Sequence, residues 1–250
     1  MFGNLSLDMF VMRKKKSTYI TALLVFACAL VGSLLMKYAS SGEDTSDLSF
    51  TNLMVQSGTL AFMFLGIFYS MFLGSDLKNG FIKNTAGTVK NRMVYVLSKE
   101  LALAVYTIAG IAVLTLSSFV FSVLILDGTK NFEAVPFVKY LGTMYLLLIG
   151  FTSFITFLVF SIRNTVAPMV IGIVLTSGTA VNLIYNTIEM LLAKANINFE
   201  FKYISAAKNV LTLNTASSNK DMLIACAVAV GHIIVFNVLT KIVMDKKDIA

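Results

Sequence analysis

Side chains that could carry out bond chemistry are few in this sequence. His232 is the single histidine, and Ser177 is the serine best placed to pair with it as a nucleophile and base. However, Thr176-Ser177-Gly178 departs from the Gly-x-Ser context of many serine hydrolases. One histidine cannot supply the H-E-x-x-H pattern of a zinc protease. We therefore predict no catalytic residue and no metal site, and the chain is not expected to be an enzyme.

A second set of polar residues shares one helical face. Gly178, Asn182, Asn186 and Glu189 follow one another at helical spacing. A carboxylate in an apolar segment is costly unless it meets water, a partner or the interface. Two interpretations stay open: this face lines an outward transport path, or Glu189 reaches the headgroups while Asn182 and Asn186 join helices by hydrogen bonds.

Two further polar residues, His232 and Asn237, lie in the last apolar stretch of the chain. A proton relay is one interpretation of His232. Hydrogen-bonded packing is the other, and we expect it for both side chains. Cys28 and Cys226 also fall within apolar stretches, where cysteine behaves as a small apolar residue, so we expect no disulfide.

The elements that must position these residues are long apolar stretches. Each has roughly 20 residues, enough to cross a ~30 Å hydrocarbon core as a helix. The six predicted spans are residues 17–36, 55–74, 101–126, 140–162, 166–192 and 222–244. A composition of 57% hydrophobic and 13% charged residues excludes a water-soluble domain. We predict an all-α integral membrane protein in which residues 1–250 form one transmembrane domain.

The net charge of +7 reflects membrane orientation rather than nucleic-acid binding. Lysine and arginine concentrate in residues 1–16, 75–100, 163–167 and 241–250, which are alternate segments between the predicted spans. Basic loops remain on the cytoplasmic side of a membrane. Both termini are therefore expected in the cytoplasm, and no nucleic-acid partner is expected.

Two segments outside the spans carry apolar residues of their own. In residues 1–16, Phe2, Leu5, Met9 and Met12 are spaced as on one helical face and precede a basic cluster. This predicts a short helix lying in the inner interface, the alternative being a disordered basic anchor. Residues 193–221 mix aromatic residues with lysines, which predicts short re-entrant helices dipping into the outer leaflet before span six.

The loop between spans two and three carries the richest local signals. Ser75 or Asp76 can cap a helix start, Phe81 and Ile82 give it an apolar edge, and Gly87 can end it. The pattern predicts a short helix, a turn and a second helix that leads into span three. A merely solvated loop would need neither Phe81 nor Ile82.

The same loop resembles that of a known family. It contains Asp76, Gly80-Phe81-Ile82-Lys83-Asn84, Gly87, Arg92, Tyr95 and Ser98-Lys99. This pattern is similar to the inner loop of small type-2 ABC exporter permeases from low-GC Gram-positive bacteria. The tail Lys246-Lys247-Asp248-Ile249 and the six-span architecture also resemble that family.

The resemblance implies a division of labour between subunits. The inner loop would form a coupling helix that docks into a separate ABC ATPase, through Asp76, Lys78, Gly80, Phe81, Ile82, Lys83, Asn84 and Gly87. Two ATPases and two permeases, identical or homologous, would form the exporter in a bacterial cell membrane. ATP and Mg would bind the ATPase, since this chain has no G-x-x-x-x-G-K-[ST] phosphate loop. Family members often export peptides or confer immunity to peptide antibiotics.

Two other classes compete with this interpretation. A non-ABC transporter or channel would show inverted repeats or charged pairs within its spans, and the sequence shows neither. A rhomboid-like intramembrane serine protease would use Ser177 and His232. An ATPase that copurifies with the chain would separate the exporter from both. The sequence does not specify the substrate or the direction of transport.

Overall fold

The computed structural model describes residues 2–39, 50–78, 92–126, 132–197 and 199–246. Every regular element in these ranges is helical. The α-helices are α1 (Phe2–Lys14), α2 (Lys16–Ala39), α3 (Phe50–Lys78), α4 (Arg92–Ile125), α5 (Ala134–Ile162), α6 (Val166–Thr176), α7 (Gly178–Lys194), α8 (Ala206–Thr212) and α9 (Asn219–Lys246). A 3₁₀ turn, Phe201–Tyr203, precedes α8.

Five of the described helices, α2, α3, α4, α5 and α9, are long and apolar enough to cross a membrane. They correspond to predicted spans one to four and six, which confirms an all-α membrane protein. Each extends beyond its predicted apolar stretch: α4, for example, begins at Arg92 rather than at residue 101. Helical hydrogen bonding continues into polar flanks, whereas hydropathy marks only the apolar part of a helix.

The predicted fifth span, residues 166–192, is not one straight helix. It corresponds to α6 and α7, and the axes of Val166–Thr176 and Val181–Lys194 differ by 68°. Ser177 separates them in extended backbone (φ −73°, ψ 108°). The hydroxyls of Thr176 and Ser177 donate to the carbonyl oxygens of Gly172 and Val174, at 2.7 and 2.8 Å. Serine and threonine hydroxyls that bond to backbone carbonyl oxygens bend helices, and a Ser-Gly pair is a common place for a kink, so the helix bends here.

The main core surrounds α5, which packs along α9 and contacts α3, α4 and α8. Leu147, Phe151 and Ile155 of α5 lie at its centre and are almost fully buried. At Gly150 the backbone of α9 comes so close that an added Cβ would lie 2.9 Å from the Ala229 carbonyl oxygen. Small residues allow this close approach of membrane helices, so Gly150 sets the distance between α5 and α9.

Two of the predicted short segments, at the N-terminus and before α9, contain helices. Phe2–Lys14 of the first segment form α1, whose Leu5, Met9 and Met12 face the core as their spacing predicts, in agreement with a helix rather than a disordered anchor. Residues 193–221 contain the 3₁₀ turn and α8, and Ser205 caps α8 by accepting the Lys208 backbone N–H at 3.2 Å. Ala206 and Val210 of α8 join the main core. The depth of these segments in a bilayer stays a prediction.

Two glycines of α5 allow a matched test of this packing. Helix propensity alone predicts that Gly142→Ala and Gly150→Ala each stabilise the protein by about 1 kcal/mol or less. We expect this of Gly142→Ala, where an added Cβ meets no atom within 4 Å. Gly150→Ala should instead destabilise by about 1–3 kcal/mol, because α9 must move away. Detergent-induced unfolding of the purified variants measures both, and equal effects would contradict the α5–α9 contact.

Candidate functional site

The ends of several helices meet at one side of the bundle, here called the basic end. A small cluster of Tyr95, Val96, Phe160 and Met244 joins the start of α4 to the ends of α5 and α9. The start of α6 lies beside the end of α3 at the same side, since an added Cβ at Gly74 of α3 would lie 2.5 Å from the Thr165 hydroxyl oxygen. The residues that flank the α3–α4 link on both sides therefore lie at the basic end.

A buried ion pair fixes α1 to this end. Lys99 of α4 forms an ion pair with Asp8 of α1, and both side chains are only 4% exposed. The Ser98 hydroxyl donates to the second carboxylate oxygen of Asp8 at 3.3 Å. Removing one partner from a buried pair leaves an uncompensated charge, so this contact strongly favours one position of α1 on α4.

A second lysine holds the end of α3. Lys15, between α1 and α2, donates to the Ser75 hydroxyl at 2.6 Å. Lys15 and Lys99 both face the Phe72 ring, with their Nζ atoms 4.9 and 4.8 Å from its centroid. These distances suit cation–π contacts. Residues of α1 and the α1–α2 junction therefore hold both the end of α3 and the start of α4.

The predicted coupling residues lie between these two ends. Asp76 and Lys78 belong to the last turn of α3. The predicted helix start at Ser75 or Asp76 is wrong, because α3 continues through both, and the Ser75 hydroxyl donates to the Phe72 carbonyl oxygen at 2.7 Å. The other members, Gly80, Phe81, Ile82, Lys83, Asn84 and Gly87, lie outside the described residues and stay predictions.

The polar face of the fifth span meets the segment before α9 at the opposite end of the bundle. Lys208 of α8, only 8% exposed, donates from Nζ to Asn182 and Asn186 of α7 at 3.2 and 2.8 Å. Glu189 of α7 accepts the Phe201 backbone N–H at 2.6 Å. The shared face is as predicted, and its three polar side chains bind residues 201–208. This agrees with the helix-joining interpretation for both asparagines.

Aromatic contacts complete this outer assembly. The Tyr185 ring stacks on Phe201 with centroids 4.5 Å apart and planes inclined by 9°. The Tyr185 hydroxyl lies 3.0 Å from the Ser205 hydroxyl oxygen. Sequence reasoning predicts no partner for Lys208, and the available signal is a lysine in a segment that mixes aromatic residues with lysines.

Two apolar cavities adjoin the outer assembly and share His232 and Phe236 of α9. One has a volume of about 520 Å³ and lies along α9 beside Tyr203. The other, about 180 Å³, reaches inward to Phe151. Their linings suit an apolar or amphipathic ligand better than an ion.

The serine and histidine that could form a hydrolytic pair do not bond to each other. The Ser177 hydroxyl donates to the Val174 carbonyl oxygen of its own helix. The Nδ1 atom of His232 lies 2.9 Å from the Val228 carbonyl oxygen of α9. Each group is thus engaged locally, as expected for packing residues.

A comparison with known protein families identifies the family of this chain. The family described as "ABC-2 family transporter protein" matches residues 10–179, more than half of the chain. The chain belongs to the ABC-2 transporter family. It is therefore a multi-pass membrane subunit, or permease, of an ABC transporter. The match runs from α1 to the start of α7 and includes the link between α3 and α4. No curated protein matches this sequence.

The lysine contact of the outer assembly can be tested with adjacent residues of α7. Asn186→Ala removes an acceptor from the buried Lys208, which should ease local opening of residues 201–212 by about 1–3 kcal/mol. Thr187→Ala is the control, since its hydroxyl donates to Leu183 within the same helix. Hydrogen–deuterium exchange of the permease measures the opening. Equal exchange in the two variants would show that the Lys208 contact does not hold the segment.

Proposed function

We propose that this permease works in an ATP-driven exporter that moves hydrophobic or amphipathic peptides, including peptide antibiotics, out of the cytoplasm or membrane. The observation that carries the proposal is the family match across α1 to α6, with the α3–α4 link held at both ends. A separate ABC ATPase dimer binds ATP and Mg and supplies the energy. A second permease, identical or homologous, completes the pathway.

The support of the α3–α4 link suits a coupling role. A displacement applied to a loop reaches the spans only if the loop's attachments are rigid. Here the ion pair of Asp8 with Lys99 and the bond of Lys15 to Ser75 hold the two attachments through one short helix. We assign docking to residues 76–87, with Phe81 and Ile82 as the apolar contact and Asp76 and Lys83 at its rim.

The basic end is assigned to the cytoplasm. Arg13, Lys14, Arg163 and Lys246 lie at or near helix ends on this side, in agreement with the preference of basic loops for the cytoplasm. Both termini are then inside a bacterial cell, and the outer assembly of α7 and α8 faces out. In this orientation α1 lies at the inner interface, and a cytoplasmic ATPase can reach the α3–α4 link.

The outer assembly supports an amphipathic substrate. Its two cavities are lined mostly by apolar and aromatic side chains, and the polar Asn182, Asn186 and Glu189 lie on the neighbouring α7. Large apolar side chains of α7, including Leu183 and Leu191, are more than half exposed and are available to lipid or to a second permease. We assign this region to the outward part of the pathway.

Phe81→Ala tests the docking role. A buried aromatic anchor commonly contributes ~2 kcal/mol or more to binding, so this variant should bind its ATPase roughly 30-fold more weakly. The permease should be purified from its native membrane with the associated ATPase, and the complex measured by native mass spectrometry.

Two permeases and two ATPases are expected for the wild type. One permease per assembly would contradict the dimer.

Phe199→Ala is the matched control for docking. It removes the same side chain from the opposite end of the bundle, so ATPase binding should be unchanged. If Phe81→Ala retains normal assembly and ATP-dependent transport, the assignment of residues 76–87 fails.

Glu189→Gln tests the outer pathway. Uptake of hydrophobic peptides into inverted vesicles should change at least several-fold, because the neutral amide holds the Phe201 N–H less strongly than a carboxylate does. Ser177→Ala and His232→Ala should change transport less. If these two variants instead abolish a peptide-cleaving activity that persists without ATP, the chain is a protease and the exporter proposal fails.

A further inference from the structure

A carboxyl group is buried between three spans, at the residue that follows Lys99 in α4. Glu100 of α4 is only 8% exposed and faces α5 and α9. Its Oε2 atom accepts from the Asn237 side-chain amide at 2.9 Å and from the Ser153 hydroxyl at 3.3 Å. Its Oε1 atom is buried and has no hydrogen-bond partner in the described part of the chain.

The neighbouring amide group adds a second unused acceptor. The Asn237 nitrogen also donates to the Ile233 carbonyl oxygen at 2.9 Å. A carbonyl only accepts, so this bond fixes which end of the amide is nitrogen. The Asn237 Oδ1 atom is buried and is likewise without a donor among the described residues.

The hydroxyls around the carboxyl also have backbone acceptors of their own. Ser153 has one proton, for which the Ile149 carbonyl oxygen at 3.3 Å competes with Glu100. Thr156 lies near the carboxyl, but its hydroxyl donates to the Thr152 carbonyl oxygen at 2.9 Å. The pocket of Glu100, Ser153 and Asn237, here called the acceptor cluster, therefore holds more acceptors than donors.

No described cation neutralises Glu100. Titratable groups on α4 and on the helices packed against it have partners elsewhere. Asp8 of α1 pairs with Lys99, and Tyr106 of α4 donates to Thr18 of α2. Tyr69 of α3 bonds Thr107, and His232 of α9 bonds Val228. Lys16 of α2 and Lys241 of α9 are exposed, and neither Tyr140 nor Tyr145 of α5 has a hydrogen bond to Glu100. An ionised carboxylate at this position would be uncompensated in an apolar span.

We propose that the acceptor cluster is a proton-binding site and that Glu100 carries the proton. A proton removes the charge, which the apolar span disfavours, and adds a donor to a pocket that holds more acceptors than donors. A hard divalent cation is a poorer fit, since it takes about six or more oxygen ligands. The site lies within the membrane-spanning bundle and is distinct from both the α3–α4 link and the outer assembly.

The site links protonation to helix packing. Among the described residues, the amide that donates to Glu100 is that of Asn237 in α9, and Ser153 belongs to α5. Separation of α9 from α4 would let water take the place of that donor and solvate a carboxylate, so the carboxyl would release its proton. Binding of the proton and packing of α9 therefore favour each other, because linkage between two equilibria is reciprocal.

Infrared difference spectroscopy of the purified full-length permease tests this. Subtracting the Glu100→Gln spectrum from that of the wild type at neutral pH isolates one carboxyl group. We expect the C=O stretching band of a protonated acid and no carboxylate bands. Glu133→Gln is the control: Glu133 is exposed, so its difference spectrum should show the two bands of a carboxylate.

The two stretching bands of a carboxylate, assigned to Glu100, would overturn the proposal. The measurement is repeated in sodium, potassium and choline salts, and carboxylate bands that change with the cation would assign the site to a metal ion instead. If Glu100→Gln does not fold, wild-type protein labelled with ¹³C at its glutamate carboxyls is titrated. A protonated glutamate band that persists at neutral pH supports the proposal, and its absence at neutral pH contradicts it.

Discussion

Hydrocarbon offers no hydrogen-bond partners, and this constraint accounts for most polar contacts in the bundle. Hydroxyls within the spans donate to carbonyl oxygens of the preceding turn, as Thr107 does to Leu103 and Thr176 to Gly172, at 2.8 and 2.7 Å. Larger polar side chains find partners on other helices. Such pairs need helices at fixed distances, so close packing at Gly150 and polar pairing depend on each other.

The polar groups of the chain are divided by function as well as by position. At the basic end, the pair of Asp8 and Lys99 holds the short α1 against the spans. At the opposite end, Lys208 joins α8 to α7 across the bend at Ser177. In the proposed function, the first arrangement holds the attachments of the segment that docks the ATPase. The second adjoins the apolar cavities that are proposed to receive the substrate.

Between these ends lies the acceptor cluster of Glu100, Ser153 and Asn237. Within the described part of the chain, Glu100 is the buried acid that has no cationic partner. Its donors come from α5 and α9, the helices in closest contact. A site built across that interface responds to any movement of α9. Movement of α9 would also reshape the cavities beside His232, since that residue lies on the same helix. A proton and a substrate could then act on one helix from different positions.

The sequence alone determined the membrane class, five of the spans, the helical face of α1 and the shared face of Asn182, Asn186 and Glu189. These follow from local hydropathy and helical spacing, and the loop pattern from Asp76 to Lys99 indicated the ABC family. The bend at Ser177 was missed, because hydropathy across residues 166–192 does not register hydroxyl bonds to the backbone. Only the tertiary structure paired Asp8 with Lys99, Lys208 with Asn182, and Glu100 with Asn237. These residues are 26 to 137 positions apart in sequence, and such contacts are set by helix packing rather than by any local pattern.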